Sequence, residues 1–334
     1  MKNRLLLLPK LLACSIITLV FLITAGVIAQ DKQAKVSDAE AKAAKAIELA
    51  ADANAKMAAA EAFIKKYPKS SLRPQVANYI SDLVFGEKDN GQKVMLAQKA
   101  LSIFTTDAEA NAFRPALIDA YIKLERFDEA FTEGATVLAK NPENIQILTN
   151  LAIVGTEEAK KGKGQHVPQT VRYGSKAIEL IEADKKPAEM DMELWGKYKA
   201  MLPQVYQEMG IISMMQQNAA DAQIKVGKAA QLNPSDPLNY VILSSIANDE
   251  YMTVAETYKN TPEGNAKKEL LAKANALMDK VIDYYAHALA LSEGKPQYQR
   301  VHDQTLEDIT PYYKYRHGGS TDGLQKLIDG YKLP

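Results

Sequence analysis

The sequence predicts an all-α chain of antiparallel helix hairpins, and three observations carry that reading. From Asp38 onward apolar residues recur at helical spacing, and no segment alternates convincingly enough to be a strand. Short proline-marked breaks, Tyr-Pro-Lys-Ser-Ser71, Asn-Pro-Glu-Asn144 and Asn-Pro-Ser-Asp-Pro237, punctuate helical stretches about 13 to 20 residues long. The third observation is a repeat: Leu117, Tyr121, Ala130, Val137 and Pro142 shift by 92 positions onto Met209, Ser213, Ala222, Ala229 and Pro234. A parallel-sheet protein would produce neither the periodicity nor the offset.

The chain begins differently. Residues 1–29, MKNRLLLLPKLLACSIITLVFLITAGVIA, combine Lys2, Arg4 and Lys10 with no acid, an apolar run from Leu11 to Ala29, and small residues at Val27 and Ala29 before Gln30. That pattern reads as a secretory signal peptide cleaved after Ala29. The run is also about as long as a membrane span, so an uncleaved anchor is the alternative. Leu-Leu-Ala-Cys14 resembles a lipoprotein processing site, but the apolar run continues well past it. Removing residues 1–29 leaves 38 Lys and Arg against 41 Asp and Glu, a net charge of −3, with no cysteine. The mature chain then has no disulfide, thiol nucleophile or cysteine metal site, which suits an exported protein with a large core. A slightly acidic body with no basic stripe excludes nucleic acid as a partner. The expected location is periplasmic or secreted, or anchored in the inner membrane facing the periplasm, with membrane contact only through an uncleaved N-terminal segment.

Residues 30–294 form the expected repeat domain. Ser37-Asp-Ala-Glu40 is a capping-box start for a first helix, an Ala-rich stretch ending near Tyr67-Pro68. At VGKAAQLNPSDPLNY, residues 226–240, one helix runs into Asn-Pro and another begins at the second proline. Proline cannot continue the first helix and loses no hydrogen bond at the start of the second. Tyr173 to Leu180 and Tyr285 to Leu291 read as second helices of further hairpins, and extra residues lie around Lys160 to Gln165 and Thr257 to Ala266. Residues 295–334, with Tyr312, Tyr313 and Tyr315 before a Gly-Gly break and a short helix starting at Ser320 or Thr321, form a C-terminal helical cap for the open end.

The two strongest hairpins, 111–144 and 203–236, resemble the tetratricopeptide repeat, a helix-turn-helix of about 34 residues. Gly210 stands for its first-helix glycine, Tyr121 for its tyrosine, Ala130 and Ala222 for the small residue at the helix crossing, and Pro142 and Pro234 for its closing proline. Gly134 and Val226 replace the usual aromatic, and the first-helix tryptophan is missing. The resemblance implies a right-handed superhelical solenoid whose first helices line a concave groove that binds a peptide or protein partner. On that geometry the partner-binding candidates are Asp119, Ile122, Gln146, Thr149, Asn150, Gln204 and Gln207. Only Asn150 matches the basic and asparagine set with which some relatives grip a C-terminal carboxylate. Replacing Asn150 and Gln207 by Ala is expected to weaken partner capture and leave melting unchanged.

Chemistry-bearing motifs are scarce. His166, His287, His302 and His317 form no local ligand spacing. Lys160-Lys-Gly-Lys-Gly164 lacks the preceding strand and the Gly-Lys-Ser/Thr ending of a phosphate loop, and there is no nucleophile elbow. The expectation is a non-enzymatic interaction scaffold of the bacterial cell envelope, without cofactor or metal, whose partner and oligomeric state the sequence does not name. The alternative is a protein that binds or processes a ligand such as a cell-wall fragment, at a site on the solenoid around Trp195 and Tyr198 or in the tyrosine-rich C-terminal segment.

Overall fold

The computed structural model describes residues 36–188 and 190–332; the expected signal peptide, residues 1–29, lies outside them. The fold is all-α, with no strand among the described residues. The helices are α1 Asp38–Leu49, α2 Ala53–Lys66, α3 Arg73–Gly86, α4 Asn90–Ile103, α5 Asp107–Lys123, α6 Phe127–Lys140, α7 Ile145–Lys160, α8 Val167–Glu182, α9 Met192–Ala200, α10 Leu202–Met215, α11 Ala219–Leu232, α12 Pro237–Asn260, α13 Asn265–Ser292, α14 Gln299–Arg316 and α15 Leu324–Asp329. The described residues divide into two compact units within α7, 36–154 and 155–332.

In the first unit α1 pairs with α2, α3 with α4 and α5 with α6; second helices α2 and α4 also touch, as do first helices α3 and α5. Each helix thus packs on the next one or two along the chain, the one-dimensional pattern of helical repeats. The first hairpin differs from its sequence reading. The Ala-rich stretch is two helices, because Asp52 turns its carboxylate to the Ala55 N–H and starts α2 with only three residues between it and the end of α1. The capping box at Ser37 and Glu40 is present. Phe104 and Phe113, both fully buried with ring centroids 5.2 Å apart, centre the packing of α4 on α5.

The 92-residue offset extends to the backbone. Lys123 and Met215 end the first helices, Phe127 and Ala219 begin the second, and Lys140 and Leu232 end them. At the turns Glu125 and Gln217 take left-handed φ of 56° and 58°, and the N–H groups of Arg126 and Asn218 donate to Tyr121 O and Ser213 O at 2.9 and 2.8 Å. The departures from the repeat pattern are filled by neighbours. A Cβ on Gly210 would stand 2.4 Å from Val226 Cγ2, and one on Gly134 would stand 2.3 Å from Leu151 Cδ1. Where the aromatic is missing a glycine thus meets a branched aliphatic side chain: Gly134 takes the aromatic's place and faces Leu151, and Val226 takes it in the other hairpin and faces Gly210. Tyr121 OH accepts from Gln98 at 2.9 Å; at the matching position Ser213 is too short to fill the space, and Lys225 and Asp221 close over its hydroxyl.

In the second unit α8 packs on α10, α10 on α11, and α11 on α12. Of the extra residues near Thr257 to Ala266, 257–260 and 265–266 extend the two helices and 261–264 form the turn between them, so α12 and α13 run 24 and 28 residues. The far half of this pair has its own small core, Val254, Ala274 and Leu277 with Tyr251 and Leu270 against it, and no residue from 255 to 273 is buried. Tail residues Ile309, Tyr313, Leu324 and Ile328 pack with Val281, Tyr285 and Leu289 of α13. The imidazole of His287 lies between two phenols, with centroids 3.7 Å to Tyr240 and 4.6 Å to Tyr331.

Two predictions follow from this packing. Gly210→Ala will destabilise by about 1–3 kcal/mol because its Cβ meets Val226, whereas Gly227→Ala, with open space around it in the same hairpin, will be neutral or stabilising by roughly 0.5 kcal/mol. Thermal unfolding distinguishes them; equal effects would refute the close approach. The second concerns acid. Burial lowers the His287 pKa, against a smaller opposing effect of Asp283, so the folded state holds the ring neutral. The unfolded chain takes up a proton first, and stability present above about pH 6.5 falls as the solution is acidified through that value. His287→Phe keeps an aromatic ring between Tyr240 and Tyr331, and its melting temperature will fall less than that of the parent chain between pH 7 and about pH 5.5.

Candidate functional site: a groove between two first helices

Sequence reasoning placed the site on the first helices, and the structure sorts the seven candidates by exposure. Asp119, Ile122, Gln146, Thr149 and Asn150 belong to the first unit, Gln204 and Gln207 to the second. Gln204 is exposed, and Asp119 and Gln146 are half-buried. Ile122, Thr149, Asn150 and Gln207 are buried, at 4%, 0%, 9% and 8% exposure. Asp119 accepts from Lys123 at 2.8 Å through one oxygen, while its other oxygen and the Thr149 hydroxyl are buried without a hydrogen bond.

Gln207 has a different task. Its amide nitrogen donates to Asn239 Oδ1 at 2.8 Å and to Asp236 Oδ2 at 3.1 Å. Asp236 uses its other oxygen to cap α12 at the Leu238 N–H, and Asn239 donates to the Asn233 carbonyl at 3.3 Å. One side chain of α10 thereby pins the Asn-Pro-Ser-Asp-Pro joint between α11 and α12. The expectation that Gln207→Ala leaves melting unchanged is corrected: truncation strands buried polar atoms of Asn239, a loss of about 1–3 kcal/mol. Thermal unfolding of Gln207→Ala against the exposed control Gln204→Ala measures it.

The aromatic alternative is likewise altered. Trp195 and Tyr198 are 1% and 3% exposed, so neither offers a face to a ligand. The indole N–H donates to Asp184 Oδ1 at 2.8 Å, holding the left-handed turn after α8, and burial pushes the Tyr198 hydroxyl up to about 12. Tyr312 donates to Asn248 and Tyr313 to the Asp322 carbonyl; Tyr315 is exposed. Among the described residues no group of three or more His, Cys, Asp or Glu could hold a metal ion, and no helix is long and apolar enough to cross a membrane.

A groove of about 560 Å³ opens between the N-terminal halves of α3 and α5, a place the sequence reading passed over. Small residues, Ala77 and Ala112, line it between Pro74 and the Pro68 to Ser70 turn. Two contacts fix its width. Arg73 Nε and Nη2 donate to the two oxygens of Glu109, both at 2.8 Å, and Ser81 Oγ donates to the Ala112 carbonyl at 2.9 Å. The Arg73 and Glu109 side chains are only 14% and 7% exposed. The guanidinium holds the Glu109 carboxyl below the usual carboxylate range against the opposing effect of burial, and Glu109 raises Arg73 in turn. Two-pronged pairing in a partly dry setting makes this a rigid strut rather than a loose surface bridge.

A sequence signal for it existed. Thr106-Asp-Ala-Glu109 matches Ser37-Asp-Ala-Glu40 in type. At α1 the glutamate reaches back to the Ser37 N–H at 2.9 Å; at α5 the threonine still caps, and both glutamate oxygens are engaged by Arg73.

Among known proteins, no family description and no curated sequence matches this chain. Solved structures similar to it include pilF of Pseudomonas aeruginosa, 17% identical over 76% of this chain and 97% of that one, with a TM-score of 0.38. A tetratricopeptide repeat protein of Parabacteroides merdae is 12% identical, covering 80% of this chain and 96% of that one, with a TM-score of 0.37. A monomeric mutant of IFIT1 with m7Gppp-AAAA is 13% identical over 84% of this chain and 56% of that one, with a TM-score of 0.39. On its own matched hairpins, crossings and turns, the chain is a tetratricopeptide-like all-α protein.

Proposed function

We propose that the chain is a non-enzymatic interaction scaffold of the bacterial cell envelope that holds a peptide or protein partner on the faces of its first helices. The observation that carries this reading is the preformed groove between α3 and α5, walled by helices that their own salt bridge and hydroxyl contact hold apart. A rigid concave surface binds without ordering itself first, which lowers the entropic cost of association. Asp119 and Gln146, the accessible members of the expected set in the same unit, lie on α5 and α7; Gln204 is the accessible member on α10 of the second unit. Export of the mature chain from Gln30, the removal of residues 1–29 and a periplasmic location belong to the same proposal and rest on the N-terminal sequence alone.

Crosslinking in intact cells followed by recovery from the envelope fraction tests it. The expected result is saturable capture of a defined protein, a yield reduced several-fold in Gln146→Ala/Gln204→Ala, and a native chain beginning at Gln30. Turnover of muropeptides by the purified chain, or a native chain confined to the cytoplasm, would overturn it.

A further inference from the structure

We propose that the groove between α3 and α5 is a site for an extended peptide segment bearing an acidic side chain, with the carboxylate seated between Lys69 and Arg73. The proposal rests on the scaffold reading above and adds the place and the chemistry of the contact. Arg73 carries five N–H groups. Glu109 takes those of Nε and one of Nη2, and the Pro68 carbonyl takes one of Nη1 at 3.1 Å, so each terminal nitrogen keeps one donor uncommitted. Lys69 lines the same groove, is exposed, and makes no ion pair. With Glu109 these are the only charged residues of the lining, and they sum to one positive charge. The rest of the unit leans the other way: residues 36–154 carry 14 Lys and Arg against 16 Asp and Glu. The groove is thus a locally positive place on an acidic unit, and what it complements is a carboxylate.

The rim decides the shape of the occupant. Asn78, Thr105 and Thr106 are exposed along it, offering an amide, the Thr105 hydroxyl and the O–H of the helix-capping Thr106 over a floor of alanine. A helix satisfies its own backbone and has little use for such groups, whereas an extended segment presents free N–H and C=O groups that an asparagine amide can bond in both senses. The small floor residues let that backbone come close. Glu109, already committed to Arg73, keeps the guanidinium in place without neutralising its outer donors.

An octapeptide array with both peptide ends blocked, probed with the full chain, tests this. Blocking the ends removes terminal carboxylates, so only side-chain carboxylates can answer. The expected result is enrichment of Asp and Glu in the captured peptides, at least tenfold weaker capture by Asn78→Ala, and a switch to Lys- and Arg-bearing peptides for Lys69→Glu. All these positions are exposed, and unchanged melting will show that the variants fold. Capture of the same peptides by the Lys69→Glu variant would overturn the site and leave the scaffold reading standing. Capture of none by the parent chain would also overturn it, and envelope crosslinking then decides the scaffold reading separately. Preference for peptides with a free C-terminus over blocked acidic ones would assign the groove to chain ends and likewise sink the proposal.

Discussion

The architecture depends on how closely neighbouring helices can approach. Ala130 and Ala222 are fully buried where each hairpin's helices cross, and Gly210 brings α10 against Val226 of α11 at a distance that leaves no room for a methyl group. Close approach lets short helices of 14 residues make contact along their length, and without it the hairpins would bury too little apolar surface to be stable as separate layers. Every other device, from the turn geometry to the proline joints, serves to deliver the next helix at the right separation.

Polar groups then fix what apolar packing leaves adjustable. Hydrophobic contact is non-directional and would tolerate a range of angles between successive hairpins. Gln207 with Asn239 and Asp236 in the second unit, and Arg73 with Glu109 in the first, are directional ties across that freedom. Both join one hairpin to the next rather than the two helices of one hairpin. The specificity of the stack is therefore set by hydrogen-bond geometry and its stability by burial.

The fold was legible because periodicity and proline joints are local properties of the chain. The 92-residue offset, visible in five residues, holds down to the left-handed turns at Glu125 and Gln217. The break after Ala50 was missed because alanine is a good helix former on both sides of it, and only the side chain of Asp52 decides where one helix stops. The candidate surface was less legible. Asp119, Gln146 and Gln204 retain exposure, but Gln207 and Thr149 turn inward, since a polar residue on a first helix can as well serve the next hairpin as a partner. The Arg73 and Glu109 pair lies 36 residues apart, and nothing in either local pattern shows that the two ends meet.

The long pair α12 and α13 carries a further consequence. Toward its tip two helices pack only on each other, with Val254, Ala274 and Leu277 as the last buried side chains before the turn. A backbone with so little burial opens at lower free energy than the rest of its unit. Amide hydrogens there will exchange with solvent ahead of those nearer Ala247 and Val281, and a protease will find the turn at residues 261–264 while the remainder of the helix pair stays closed. The protein thus carries a graded stability along a single hairpin, firm where the tail packs on α13 and yielding at the far end.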